Sequence, residues 1–171
     1  MSRQLLLTIL AGVSTSTSPA SAQERFTHVW GDKGGKQFVL RCPAGSVLTG
    51  VSALSGAYVN NIAPICDGRR MPGAGGGGDR STVVCPSDSL VRKMQVVSLR
   101  SDNMLLKALK LYCFSKANGG ATAEVPLDTP GRYTGFYPMD YVDCGSRNAI
   151  GLQGRSGASV DAVGLICGSR G

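Results

Sequence analysis

Gly151-Leu-Gln-Gly-Arg-Ser-Gly-Ala-Ser-Val-Asp-Ala-Val-Gly-Leu-Ile-Cys167 is the most informative stretch of this chain, because an earlier segment repeats its pattern. That segment is Gly50-Val-Ser-Ala-Leu-Ser-Gly-Ala-Tyr-Val-Asn-Asn-Ile-Ala-Pro-Ile-Cys66. Counted back from the cysteine, both have Gly ten residues earlier, Val seven, Asp or Asn six, Val or Ile four and Ile one. A third copy, Asn103-Met-Leu-Leu-Lys-Ala-Leu-Lys-Leu-Tyr-Cys113, keeps the apolar positions but carries Lys107 at the Asp or Asn place. So many coincidences indicate an internal threefold repeat.

The repeated segments have the composition of short strands joined by tight turns, because they are rich in β-branched and aromatic residues and bounded by Gly. We predict strand pairs over 46–54 with 58–65, 91–99 with 104–113, and 148–153 with 160–166. Residues 104–113 alone have the composition of a helix, but the register of the repeat favours a strand. Gly56 and Gly157 stand at two of the turns, where we expect positive φ.

Two glycine-containing segments separate the repeats. The first, 67–79, includes four consecutive glycines, but no Gly-Lys-Ser/Thr follows them, so a phosphate cradle is disfavoured. We predict that it is a flexible connector rather than a ligand loop. The second, 115–129, is rich in Ala, Gly and Pro and is predicted to be another connector.

Six cysteines fall in pairs, one pair per repeat. Fifteen pairings are possible, and the repeat favours the set in which each unit closes on itself: Cys42 with Cys66, Cys85 with Cys113, and Cys144 with Cys167. A metal site is disfavoured because there is no Cys-x-x-Cys spacing and His28 is the sole histidine. We expect no metal and no cofactor.

The first 22 residues resemble a cleaved secretory signal, with Arg3, an apolar run over 5–13 and a small-residue end at Ala22. The apolar run is too short to span a bilayer. We therefore predict a secreted protein, extracellular or periplasmic, with one domain over 23–171. The net charge of the full chain is +7, and its Lys and Arg residues are scattered along the sequence. This pattern favours a solvated surface. An anionic partner, such as nucleic acid, an acidic glycan or an anionic lipid, is the alternative.

Three cystine-bearing units, over about 31–70, 79–116 and 131–171, are too small to bury a face alone but can share a core around an axis. The sequence thus predicts an all-β fold. We expect a threefold prism of three roughly four-stranded Greek-key units with one disulfide each.

Two sets of motifs resemble known families. Gly31, Gly34, Gly35 and Phe38, in the pattern Gly-x-x-Gly-Gly-x-x-Phe, together with the 151–167 stretch, resemble the jacalin-related lectins, whose fold is the β-prism I. The cysteine-bearing segments Cys42-Pro-Ala-Gly45 and Ala108-Leu-Lys-Leu-Tyr-Cys113 resemble the vitelline membrane outer layer proteins, which have the same prism with disulfides.

The lectin resemblance implies a sugar site on a Gly-x-x-x-Asp loop, where the carboxylate accepts sugar hydroxyls and main-chain N–H groups donate. This resemblance assigns the following residues to carbohydrate binding: Asp161 as acceptor, Gly157, Ala158, Ser159 and Val160 as the loop, Gly34 and Gly35 as the opposing wall, and Asn60 as a weaker second site. In the third copy Lys107 stands at the matching place, which excludes a third equivalent sugar site. Galactose-specific members of that family also use a freed N-terminal glycine, which we expect this chain to lack. The resemblance therefore implies a preference for mannose or glucose. From the residues alone, Asp161 could equally brace its own turn and Gly34-Gly35 could simply turn the chain.

The first functional hypothesis is therefore a secreted, lectin-like protein that binds surface or matrix glycans. The alternative, implied by the second resemblance, is a non-enzymatic structural or interaction protein of an extracellular layer. Catalysis is disfavoured, because the sequence has no Gly-x-Ser-x-Gly motif and its closest carboxylates, Asp140 and Asp143, have the spacing of a turn.

Overall fold

The computed structural model describes residues 23–99, 105–128 and 138–170. The signal peptide predicted over 1–22 and the opening of the third unit at 131–137 lie outside the described residues. Within these ranges the regular structure consists of antiparallel strands. The described residues contain no helix, and therefore none that could cross a membrane. In chain order the strands are β1 (Arg25–Phe26), β2 (Trp30–Gly31), β3 (Lys36–Arg41), β4 (Leu48–Ser55), β5 (Val59–Cys66), β6 (Arg69–Arg70), β7 (Ala74–Gly75), β8 (Asp79–Val84), β9 (Ser89–Ser98), β10 (Leu106–Ser115), β11 (Ala121–Asp128), β12 (Met139–Asp143), β13 (Arg147–Ser156) and β14 (Val160–Arg170).

The strands form three sheets around one core. The first sheet has the order β1-β14-β13-β3, with β2 also on β14. The second has the order β6-β5-β4-β8, with β7 also on β5, and the third has the order β11-β10-β9-β12. The all-β threefold prism predicted from the repeat is therefore confirmed.

Each sheet is built around one hairpin, and its outer strand comes from elsewhere in the chain. β3 lies on the β13–β14 hairpin, β8 on the β4–β5 hairpin and β12 on the β9–β10 hairpin. The same register recurs, because Gly151 pairs with Arg41 in the first sheet and Gly50 with Val84 in the second. A unit of sequence therefore does not coincide with a sheet: each unit contributes its first strand to one sheet and its hairpin to the next.

Three disulfides have the pairing predicted from the repeat. Cys42–Cys66, Cys85–Cys113 and Cys144–Cys167 have Cα–Cα distances of 5.5, 5.6 and 5.4 Å. Because the first cysteine of each pair follows an outer strand and the second lies on a hairpin strand of the next sheet, every bridge joins two different sheets. The three bridges thus connect the three sheets in a closed cycle.

The core lies between the inner faces of the three sheets. Each sheet contributes side chains that are at most 1% exposed: Leu48, Val51 and Ile62 from the second, Met94, Leu109 and Leu111 from the third, and Leu152, Val163 and Leu165 from the first. Met94 and Leu111 alternate with partly exposed neighbours on β9 and β10, as expected for a sheet with one face in water. On β4 and β14 the neighbours of Val51, Val163 and Leu165 are buried as well. The apolar positions shared by the three repeats are thus core positions.

Three sequence predictions need comment. Within the segment 104–113, residues 106–113 form most of strand β10, as the repeat register predicted against helix propensity. The two connectors are not structureless, because 67–79 contains β6 and β7 and 115–129 contains β11. Positive φ is absent at Gly56 and Gly157, contrary to expectation; at both turns the glycine N–H instead donates to the carbonyl two residues later.

Replacing both cysteines of a pair with Ala is expected to lower the free energy of unfolding by about 3–4 kcal/mol in the chain-entropy model. Because the loops span 24, 28 and 23 residues, the three double variants should be destabilised by similar amounts. Urea denaturation of each variant under non-reducing conditions measures this. A loss confined to one pair would show that native packing at that bridge, rather than loop closure, controls stability.

Candidate functional site

Asp161 lies directly after the β13–β14 turn, at the second position of β14, and is half-buried. A two-glycine loop packs against its carboxylate. A Cβ atom built on Gly34 would lie 2.9 Å from Asp161 Oδ1, and one on Gly35 would lie 2.5 Å from Oδ2. Only residues without side chains allow the chain to approach this closely. The structure thus brings together Asp161 and Gly34-Gly35, which are far apart in sequence.

Two further contacts fix the glycine loop in place. The Arg155 guanidinium donates from Nε to the Gly34 carbonyl at 2.7 Å and from a terminal nitrogen to the Gly35 carbonyl at 2.8 Å. On the other side the Asp32 N–H donates to the Asp161 main-chain carbonyl at 2.9 Å. Arg155 was not predicted from the sequence. The position of Arg155 in the sequence does not indicate this role, because its partners are main-chain carbonyls 121 and 120 residues away.

The Asp161 carboxylate has unused acceptor capacity. Its Oδ2 is buried and has no hydrogen-bond partner in the described part of the chain. Burial raises the pKa of this carboxyl above its ordinary value of 3.8, and the nearby Asp32 carboxylate raises it further. The Gly157 N–H and the Arg155 charge oppose this rise without cancelling it. The folded chain therefore holds a carboxylate that it does not fully stabilise.

Asn60 occupies the matching position of the second sheet, and a second glycine loop packs against it. The Gly76 N–H donates to the Asn60 carbonyl at 2.7 Å, just as Asp32 does to Asp161. Gly75 and Gly31 also correspond, with φ of 114° and 135°. The glycine run that we predicted to be a flexible connector is therefore the counterpart of the Gly34-Gly35 loop. The signal that could have found it is its position, since both loops end just before an outer strand.

The Asn60 side chain differs from Asp161 in having partners on both polar atoms. Its Nδ2 donates to the Gly77 carbonyl at 2.9 Å. Its Oδ1 accepts a hydrogen bond from the Ser159 hydroxyl at 3.0 Å. Ser159 belongs to the candidate loop of the first sheet, so the tips of the first and second sheets contact each other.

Lys107 occupies the matching position in the third sheet and carries no acceptor. Its ammonium is largely buried and donates to the Ala57 carbonyl at 2.6 Å, at the turn of the second sheet. The Tyr58 ring lies 5.8 Å from the same nitrogen. The second positions of β14, β5 and β10 therefore lie at the same end of the prism and carry three different side chains.

The carboxylates considered for catalysis lie elsewhere and have local partners. Asp140 Oδ2 lies 2.7 Å from His28 Nε2. The Tyr141 N–H and then His28 hold the pKa of the Asp140 carboxyl below its ordinary value. Asp143 Oδ1 accepts a hydrogen bond from the Gly145 N–H at 2.7 Å within its own turn.

Gly35→Ala should lower stability by about 1–3 kcal/mol, because Gly35 has a φ of +63° and the new methyl group would meet Asp161 and the Ser156 carbonyl. Gly77→Ala is the matched control: it lies in the second glycine loop, and a Cβ there has no neighbour within 4 Å. Its effect should stay within about 0.5 kcal/mol. Chemical denaturation of both variants tests this, and equal losses would contradict the packing of Gly35 on Asp161.

Asp161→Asn should stabilise the protein at neutral pH, because it removes a charge that burial and Asp32 disfavour. With a folded-state pKa above the unfolded one, the wild type gains stability as pH falls through the folded-state pKa towards 3.8, and loses it as pH rises. The difference between variant and wild type should therefore be largest at neutral pH and shrink in acid. Urea denaturation from pH 4 to 7 measures it, and a variant less stable at pH 7 would show that Asp161 braces the fold.

No protein-family model and no curated protein matches the sequence. Solved structures do match in fold. The wild-type Malaysian banana lectin aligns with a TM-score of 0.59 at 18% identity, covering 86% of this chain and 98% of that one. A mannose-specific jacalin-related lectin from Morus nigra, in complex with mannose, aligns with a TM-score of 0.57 at 14% identity, covering 91% and 99%.

A lamprey immune protein aligns with a TM-score of 0.64 at 22% identity. It covers 85% of this chain, which spans only 44% of that protein. At these identities the likeness concerns the fold. The chain therefore has the β-prism fold of the jacalin-related lectins.

Proposed function

We propose that this protein binds carbohydrate through the Gly157–Asp161 loop, with the Asp161 carboxylate as the acceptor of sugar hydroxyls. The observation that carries the proposal is the buried Asp161 Oδ2 without a partner, on a carboxyl whose pKa is raised. A carboxylate that braced its own turn would have both oxygens satisfied and a lowered pKa. A carboxylate kept at a cost to stability is typical of a binding site.

The geometry of the loops supports the same proposal. Gly157 and Ala158 are exposed, Ser159 is half-buried, and Val160 is buried and anchors the loop in the core. Gly34 and Gly35 form the facing wall, and their carbonyls are held by Arg155. Gly35 covers Asp161 Oδ2, so a sugar hydroxyl can reach this oxygen only when Gly35 moves away from it. Because Gly34 and Gly35 have no side chains, steric hindrance to this movement is small.

The substrate class is a neutral glycan of the mannose or glucose type. Support comes from the fold, which is shared with lectins, one of them solved with mannose. The acceptor at this loop is a carboxylate, which suits neutral hydroxyl groups better than negatively charged phosphates or sulfates. We further propose that the protein acts outside the cytoplasm, since its three disulfides suit an oxidising compartment.

Binding without catalysis completes the proposal. Asp161 and Asp32 are the two carboxylates near each other at the loop, and Asp32 Oδ1 already accepts a hydrogen bond from the Lys33 N–H at 2.7 Å. Asp140 and Asp143 are committed to His28 and to a turn. A structural protein of an extracellular layer, the second function considered, would need no carboxylate with unused acceptor capacity.

Asp161→Ala and Asp161→Asn should each weaken glycan binding by more than about 100-fold, because two charge-assisted hydrogen bonds are lost. A glycan array identifies the ligand, and titration calorimetry measures the affinity. Glu124→Gln, which neutralises an exposed carboxylate paired with Lys110 on the third sheet, is the matched control and should leave binding unchanged. Wild-type affinity in Asp161→Asn would exclude the proposed site. The absence of any saturable glycan effect on thermal stability would favour the structural role.

A further inference from the structure

The Asn60 side chain is held by two protein partners, and one of them lies in the candidate sugar-binding loop. Its Oδ1 accepts the Ser159 hydroxyl at 3.0 Å, and its Nδ2 donates to the Gly77 carbonyl at 2.9 Å. A sugar hydroxyl at Asn60 would have to displace these partners, exchanging one neutral hydrogen bond for another with little net gain. Asp161 Oδ2 has no such partner to displace.

The second glycine loop also contacts the candidate sugar-binding loop. A Cβ built on Gly76 would lie 2.4 Å from the Ala158 carbonyl oxygen, so the two main chains are in direct contact. Gly76 is in turn fixed to Asn60, because its N–H donates to the Asn60 carbonyl at 2.7 Å. Asn60 therefore holds both Ser159 and the glycine loop that supports Ala158.

We propose that Asn60 is a positioning residue for the Asp161 site rather than a second sugar site. This inference rests on the proposed function. Asn60 and the second glycine loop hold Ser159 and Ala158 of the Gly157–Asp161 loop, while Arg155 holds the facing wall. A loop fixed before the ligand arrives loses less conformational freedom on binding, so the sugar is bound more tightly. One prism then presents one site whose loop is supported by two sheets.

The proposal predicts that Asn60→Ala and Ser159→Ala each weaken the binding of methyl α-D-mannopyranoside, or of the best monosaccharide on the array, by about two- to tenfold. The stoichiometry in calorimetry should remain one sugar per chain. The double variant should bind no more weakly than Asn60→Ala alone, because Ser159→Ala removes a hydrogen bond that Asn60→Ala has already removed. The separate variant Ser159→Thr keeps the hydroxyl and should bind the sugar as tightly as the wild type.

Thr122→Ala is the matched control. Its hydroxyl donates to the Ser89 hydroxyl at 3.0 Å near the start of β9, at the opposite end of the prism, so its loss removes a similar bond and should not alter affinity. Amide hydrogen exchange supplies a second readout. Residues 157–161 should exchange faster in Asn60→Ala than in Thr122→Ala, whether or not sugar is present.

Two results would overturn the inference. One is a wild type that binds two sugars per chain and loses one of them in Asn60→Ala, which would make Asn60 a second site. The other is an Asn60→Ala variant with unchanged affinity and unchanged exchange at 157–161. If the wild type binds no sugar, or if Asp161→Ala still binds it, the proposed function fails, and the exchange rates alone decide whether Asn60 positions the loop.

Discussion

Pairing between each outer strand and a hairpin from another unit is the constraint on which the rest of the structure depends. It can be followed at the cysteines that end the outer strands. Cys42 donates its N–H to Ile150, Cys85 to Thr49 and Cys144 to Arg92, at 2.8, 2.8 and 2.9 Å. Because each unit completes its neighbour's sheet, no unit can fold its sheet alone, and the disulfide inside each unit of sequence becomes a bridge between sheets.

The same exchange creates the candidate site. The glycine loop before β3 is carried onto the tip of the β13–β14 hairpin, so residues about 120 positions apart become neighbours. The glycine run before β8 reaches the β4–β5 hairpin in the same way. A glycine loop facing the residue after a hairpin turn is thus a product of the architecture. What varies between sheets is the side chain presented there.

The sequence could predict those features that the repeat makes periodic. The strands of each hairpin, the cystine pairs and the shared core positions recur at fixed distances from a cysteine, so each copy supports the others. Strand β10 illustrates this, because its own composition favours a helix while its register matches two strands. Asp161 was found as a site candidate through its place in the repeat and the family resemblance.

Features that depend on partners distant in sequence could not be predicted. Glycine-rich 67–79 was interpreted as flexible because glycine adds conformational freedom, but here glycine serves close approach: a Cβ on Gly75 would lie 2.1 Å from the Asn60 carbonyl. The expectation of positive φ at Gly56 and Gly157 was wrong; positive φ occurs instead at Gly31 and Gly75, in the loops that face those turns.

The three side chains at the equivalent positions Asp161, Asn60 and Lys107 differ in whether neighbouring sheets satisfy them. Lys107 and Asn60 are satisfied by main-chain and hydroxyl groups of neighbouring sheets, so they hold the tips together. Asp161 does not have this role, because one oxygen lacks a partner within the described chain and its charge is disfavoured by burial. A repeat protein can accept an unfavourable carboxylate in one copy when contacts from the other two copies hold that end of the fold together and the disulfides connect the sheets at the opposite end. The asymmetry among otherwise equivalent positions is therefore the reason why the proposed site is placed at Asp161 rather than at Asn60 or Lys107.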